Sequence, residues 1–195
     1  MNDDREPPAS VHVSDPRALR ALAHPTRLRL LGELRTRGPQ TVGALSELVD
    51  EAPGSISYHL GTLAKHGFVV QAPELARDRR ERWWRAAHRS TTWTPLELLD
   101  DPERRAAMEV LQRTVLARYA QELEAYLHRQ PTLPPEWVAA ATISDAVLHL
   151  TSDQLAELRE ELHALARRWQ ERSDAGGPEA PGAHDVALQY QAFRR

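Results

Sequence analysis

The sequence predicts a mainly α-helical protein with small β elements, organised in two modules. Three observations support this fold class. Apolar residues recur at helical spacing along most of the chain, short β-rich segments follow only after Gly67, and 195 residues suit one large or two small domains. The cysteine count is zero, which excludes disulfides and thiolate sites and makes a cytoplasmic protein the expectation.

The first half of the chain begins with a flexible arm and three predicted helices. Residues 1–13 are polar and contain proline, which is typical of a mobile segment. Asp15 with Pro16 marks the first helix start, and His24 with Pro25 marks the second. Thr41 caps a third helix, which ends near residue 50.

A fourth predicted helix, within residues 53–67, organises this half of the chain. Ile56, Leu60 and Leu63 form one apolar stripe, and the remaining positions are mostly hydrogen-bonding rather than charged. Such a polar face suits contacts with base edges, and Pro53-Gly54 leaves backbone N–H groups open to a phosphate. The candidate DNA contacts on this helix are Gly54, Ser55, Ser57, Tyr58, His59 and Thr62. Packing on a neighbouring element is the alternative role for Tyr58 and His59.

Two short strands, at residues 68–73 and 82–85, follow this helix and are joined by a basic loop. Strands in this position, after two closely spaced helices, predict a winged helix-turn-helix over residues 14–92. The wing supplies four candidate DNA contacts, Arg77, Arg79, Arg80 and Arg82. A solvated loop is the alternative interpretation of these arginines.

Charge is divided unevenly along the chain. Residues 17–89 contain 13 Lys and Arg against 7 Asp and Glu, whereas the remaining residues contain 12 against 21. The overall charge of −3 therefore hides a basic segment that coincides with the predicted winged helix-turn-helix.

These motifs resemble those of ArsR/SmtB-type winged helix-turn-helix transcriptional regulators. The similar segments are Leu22-Ala-His-Pro-Thr-Arg-Leu-Arg-Leu-Leu31, residues 41–49, Ser55-Ile-Ser-Tyr-His-Leu-Gly-Thr-Leu63, Lys65-His-Gly-Phe-Val69 and Glu81-Arg-Trp-Trp-Arg85. The resemblance covers residues 15–90, and the subgroup with an added C-terminal region is the most similar. It implies sequence-specific binding of double-stranded DNA, a role as a repressor, and a homodimer on a palindromic operator.

Residues 93–195 are predicted to form a dimerisation and effector module. A long helix over 101–129 carries an extended apolar face, and the resemblance implies that this face forms the dimer. The predicted dimerisation residues are Met108, Leu111, Val115, Tyr119 and Leu123. A second helix over 152–172 opens with a Thr-x-x-Gln capping box at Thr151, and whether it packs within one chain or across the dimer stays open.

Short strands are expected at residues 143–150 and 186–193, which would make this module α+β. Its aromatic residues allow two interpretations: they line a pocket for a small organic effector, or they fill the core and the dimer interface.

Other classes of function lack support in the sequence. The nine histidines are scattered, and the best local pair, Glu124 with His128, offers two ligands at a helix end, so we predict no metal site and no cofactor. No catalytic motif is present, and no segment is apolar enough for a membrane span. The alternative function is a ligand-binding or protein-interaction module whose winged helix docks a protein.

Overall fold

The computed structural model describes residues 10–78, 81–176 and 181–195. The chain divides into two compact units, residues 1–128 and residues 129–195. This division lies at the end of the long helix, whereas the sequence pattern predicts a boundary between residues 92 and 93. The reason is that the long helix contributes side chains to the core of the first unit.

Four helices form the centre of the first unit. They are α1 (Pro16–Leu22), α2 (Pro25–Thr36), α3 (Val42–Val49) and α4 (Pro53–Lys65). The predicted caps are present: the Asp15 carboxylate accepts from the N–H groups of Arg17 and Ala18, and Thr41 Oγ1 accepts from Ala44 N–H. Between α3 and α4, Asp50 ends α3 in a left-handed conformation with φ of 57°. The mainly helical fold class with small sheets is therefore confirmed.

The hydrophobic core joins these helices to the sheet behind them. Fully buried side chains come from each helix and from the segment after α4, among them Leu19, Leu30, Leu45, Ile56, Leu60, Leu63 and Phe68. The apolar stripe of α4 thus faces the core, as its spacing predicts.

A three-stranded antiparallel sheet forms the wing and its support. The strand order is β2 (Gln40–Thr41), β4 (Trp83–Ala86) and β3 (Val69–Gln71), with β4 in the centre. Val69 pairs with Ala86, and Gln71 pairs with Trp84. The two strands predicted for the wing are β3 and β4.

The last part of the predicted flexible arm is a strand. β1 (Ser10–His12) pairs in parallel with β5 (Ser90–Thr92), and the adjoining Val13 is buried in the core. An arm over the whole of residues 1–13 is therefore wrong for residues 10–13. Their backbone groups find partners about 80 residues away in the sequence, which local composition does not reveal.

Two helices complete the first unit, α5 (Pro95–Leu99) and α6 (Pro102–Arg129). Met108 and Leu111, both predicted dimerisation residues, are buried in the core of their own chain. Val115 is partly buried against the same core. The prediction is therefore wrong for Met108 and Leu111, because the winged-helix core already covers this face of α6.

The second unit contains α7 (Pro135–Ala140) and α8 (Ser152–Gly176). The capping box is confirmed: Thr151 Oγ1 accepts from Gln154 N–H at 3.2 Å, and Thr151 N–H donates to Gln154 Oε1 at 3.0 Å. Within residues 129–176 and 181–195 the structure contains no strand, so the strands predicted at 143–150 and 186–193 are wrong. Both segments hold exposed apolar residues, but they have no neighbouring strand in this unit to pair with.

Across the described residues, none of the helices combines the length and the hydropathy that crossing a membrane requires.

Candidate nucleic-acid interface

The helix α4 presents one face to the core and the opposite face to solvent. Its exposed residues are spaced as one continuous helical face, and they include Gly54, Ser57, Tyr58, Gly61 and Lys65. Tyr58 is a large side chain on this face, and 72% of its surface is exposed. This face is polar, carries one charge and is convex, which suits insertion into the major groove of DNA.

Two glycines shape this exposed face. A Cβ at Gly54 or at Gly61 would meet no described atom within 4 Å apart from its chain neighbours and the backbone of its own helix, so packing does not require glycine at either position. Glycine in a helix costs about 1 kcal/mol relative to alanine. Close approach by another molecule is a use for glycine that offsets this cost.

The N-terminus of α4 is open to an anion. Ala52 occupies the cap position, and no described side chain caps this end of the helix. Pro53 has no N–H group, so the backbone N–H groups of Gly54 and Ser55 point outward at the positive end of the helix dipole.

The hydroxyl groups of the predicted set are partly engaged within the chain. Ser55 Oγ donates to Glu51 Oε2 at 2.8 Å, and Thr62 Oγ1 donates to the Tyr58 carbonyl at 3.1 Å. Each hydroxyl oxygen keeps lone pairs for an outside donor. Ser57 and Tyr58 are therefore the side chains of α4 that are best placed to contact bases.

His59 is not on the exposed face. It is 7% exposed, its ring lies 4.5 Å from the ring of His24, and its Nε2 lies 3.9 Å from Glu51 Oε2. Burial, followed by the neighbouring His24, lowers the pKa of His59. The prediction that His59 contacts DNA is corrected: position 59 falls between Ile56 and Leu60 on the buried side of α4.

The carboxylate of Glu81 connects the two sides of the wing loop. Glu81 accepts hydrogen bonds from the backbone N–H of Arg77 at 3.0 Å and from Trp83 Nε1 at 3.2 Å, which together lower its pKa. Arg77 and Arg82 are both exposed on this loop. Arg79 and Arg80 lie outside the described residues.

Sequence reasoning missed two members of the exposed face, Gly61 and Lys65. They follow Gly54 at seven and eleven residues, so helical spacing alone would have placed them there. Among the described residues, no group of three or more His, Asp or Glu side chains is arranged to hold a metal ion.

Comparison with protein families identifies this region. Residues 22–72 match the family model described as "Helix-turn-helix domain". The chain therefore contains a helix-turn-helix domain. The match covers α2 to β3 and supports DNA binding as the role of this part of the chain.

Other comparisons add little to this assignment. No curated protein matches the chain. Among solved structures, "The crystal structure of transcriptional regulator PA4135" is similar at 19% identity and a TM-score of 0.30, over 57% of this chain and 79% of that chain. Similarity at this level carries no argument about the function of this chain.

Proposed function

We propose that the protein is a transcriptional regulator that binds double-stranded DNA in a sequence-specific manner, as a homodimer on a palindromic operator. The observation that carries the proposal is the exposed face of α4. This face offers hydrogen-bonding side chains, an open helix N-terminus and two glycines, and it belongs to a helix-turn-helix domain. Base edges in the major groove are the partner that such a face fits.

Phosphate contacts from the wing complete the proposed interface. Arg77 and Arg82 are exposed on the loop after α4, where the winged helix approaches the groove next to the one that α4 enters. Arg79 and Arg80 belong to the same loop in the sequence and are proposed for the same role. These cations supply affinity without sequence preference.

A second copy of the chain is proposed to bind along α6. Four of the apolar residues that remain exposed on this helix form one stripe with a spacing of four, three and four, and they are Leu116, Ala120, Leu123 and Leu127. Leu123 is the member of the predicted dimer interface that lies in this stripe. A two-fold axis through such a stripe relates two α4 helices, which is the reason for proposing a palindromic operator.

The repressor role and an organic effector are proposed on narrower grounds. The repressor role rests on the resemblance to ArsR/SmtB-type regulators.

In the second unit, a groove of 380 Å³ between α8 and the C-terminal segment is lined in part by Leu155, Leu162, His163 and Tyr190. This mix of apolar and aromatic side chains is where we propose that a small organic effector binds.

The proposal is tested by selecting, from a pool of random duplex DNA, the sequences that the full chain binds. We expect enrichment of a sequence with two inverted half-sites about one helical turn apart. Selection without enrichment of any such sequence would contradict the proposal and favour a module that docks a protein. A Tyr58→Ala variant, carried through the same selection, serves as the control for contacts made by α4.

A further inference from the structure

The turn between α3 and α4 holds Glu51, whose backbone contacts α3 and whose carboxylate contacts α2 and α4. The backbone of Glu51 is fixed on both sides by Ser46 of α3, whose carbonyl accepts from Glu51 N–H and whose hydroxyl donates to the Glu51 carbonyl. The backbone of Glu51 is therefore held by α3.

The side chain of Glu51 connects the helices on either side. Its Oε1 accepts a hydrogen bond from the buried hydroxyl of Thr26 in the first turn of α2. Its Oε2 accepts from Ser55 Oγ in the first turn of α4 and lies 3.9 Å from His59 Nε2 one turn further along. Two hydroxyl donors and a nearby imidazole thus converge on one carboxylate.

The hydrogen bonds of Glu51 hold the first turn of α4. No described side chain caps α4, and Glu51 connects the first turn of this helix to α2 through its hydrogen bonds with Ser55 and Thr26. Ser57 and Tyr58 follow Ser55 within one turn. A change in the rotation of α4 about its axis would move these exposed side chains sideways across the groove, because they lie on the face of the helix that points away from the core.

We infer that Glu51 is a positioning residue for DNA recognition: its carboxylate fixes the rotation of α4 against α2 and thereby directs Ser57 and Tyr58 at the bases. The inference rests on the proposed function. It assigns a role in sequence preference to a residue that lies behind the interface and does not touch DNA.

Two variants remove the connection in different ways, and two others serve as controls. Glu51→Gln removes the charge, and Thr26→Val removes one donor while keeping the shape of the side chain. Thr26→Ser retains the donor. Glu103→Gln removes an exposed carboxylate that pairs with Arg20 at 2.7 Å, on helices other than α4.

Affinity is measured for the selected operator and for a random duplex of the same length at the same salt concentration. Charge-assisted hydrogen bonds are the stronger ones, so Glu51→Gln and Thr26→Val should weaken operator binding about tenfold or more. Binding to the random duplex should change by less than about threefold, because wing contacts with phosphate supply it. Thr26→Ser and Glu103→Gln should match the wild type on both duplexes.

Equal losses on the two duplexes, or wild-type operator affinity in folded Glu51→Gln, would overturn the inference. If Glu51→Gln does not fold, Thr26→Val decides the matter under the same criteria, because its side chain fills the same space.

Amide hydrogen exchange without DNA separates this inference from the proposed function. Faster exchange over residues 55–62 in Glu51→Gln and Thr26→Val, with unchanged exchange in α6, supports the positioning of α4 by Glu51. Unchanged exchange in α4 would overturn it. Failure of the wild-type protein to select any operator would overturn the proposed function and with it the role in recognition, whereas the exchange measurement would still decide whether Glu51 positions α4.

Discussion

The guanidinium group of Arg118 lies directly over Gly32, so that a Cβ at Gly32 would be 2.9 Å from Arg118 Nη2. Arg118 Nη1 donates to the Leu28 carbonyl at 2.7 Å, and its Nε pairs with Glu122 at 2.8 Å. An arginine of the long helix therefore rests on the backbone of α2 at the point where α2 lacks a side chain. This contact connects α6 to the helix-turn-helix.

A double-mutant cycle on this pair gives the first prediction. In an Arg118→Ala background, Gly32→Ala should raise the free energy of unfolding by about 1 kcal/mol, because alanine favours helix formation. In the wild-type background the displaced guanidinium should cancel most of this gain. Urea unfolding of the four proteins measures the difference. The same gain in both backgrounds would show that Arg118 does not need Gly32.

Tyr58 and His59 should respond differently to replacement by alanine, although they are neighbours in the sequence. Tyr58→Ala should alter preference among operator variants and leave the melting temperature nearly unchanged, because the side chain is exposed. His59→Ala should lower the free energy of unfolding by about 1–3 kcal/mol, because it creates a cavity beside His24. Thermal melts and binding to a panel of operator variants test the pair. A stable His59→Ala protein with altered operator preference would return His59 to the interface.

The stability of the first unit should decrease in mild acid. Burial is the main cause that lowers the pKa of both imidazoles below 6.5. The charge of Arg27 lowers the pKa of His24 further, and His24 lowers the pKa of His59 further. The folded state then binds fewer protons than the unfolded chain, so this stability is complete above pH 6.5 and is lost as the pH falls through the lowered pKa values. The hydrogen bonds from Thr26 and Ser55 lower the pKa of Glu51, which adds a further loss at pH values below 4.5.

Urea midpoints between pH 5 and pH 8 measure this dependence. Glutamine at position 59 has a similar polar shape and does not titrate, so His59→Gln should make the profile shallower above pH 5, while the contribution of His24 remains. A wild-type profile that is level over this range would contradict the assignment.

The wing arginines should contribute affinity rather than sequence preference. Arg77→Ala with Arg82→Ala should weaken binding to all duplexes and reduce the slope of log affinity against log salt by about 1 for each phosphate that is no longer neutralised. The same outcome is expected for Arg79→Ala with Arg80→Ala. A salt titration with fluorescent duplex is sufficient, and an unchanged slope would remove the wing from the interface.

The exposed stripe of α6 should control the oligomeric state. Leu116→Glu with Leu127→Glu should reduce the measured mass from twice the chain mass to the chain mass of 22.0 kDa, because the charges lie in the proposed apolar interface. Val110→Glu is the control, since Val110 is exposed on a different face of α6. Light scattering coupled to size exclusion measures the mass. A dimer that survives the double substitution would place the interface elsewhere.

The sequence predicted those elements whose signals are local. Asp15, Thr41 and the Thr151 capping box mark helix starts through contacts within four residues, and all three are present. The strand β1 escaped prediction because its partner β5 is distant in the sequence. An apolar helix face also does not specify its partner. Met108 and Leu111 do lie in a long helix, as predicted, but they pack in the core of their own chain instead of a dimer interface.

At the candidate site, the exposed face of α4 followed from helical spacing, but the role of His59 did not. Polarity placed His59 outside, whereas its spacing of three from Ile56 and four from Leu63 places it inside. The contacts of Glu51 depend on the packing of α2 against α4, which no local pattern encodes. Sequence thus located the surface, and tertiary packing determined what supports it.

The pairing of β1 with β5 has a mechanical consequence. Val13 N–H donates to the Thr92 carbonyl at 2.9 Å, so the segment before α1 is fastened to the segment that leads into α5 and α6. A pull applied at Ser10 is therefore shared between α1, which follows in the chain, and the segment that leads through β5 into α5 and α6. The N-terminal segment thus links the start of the helix-turn-helix to the segment that precedes α6, the helix proposed to join the two copies.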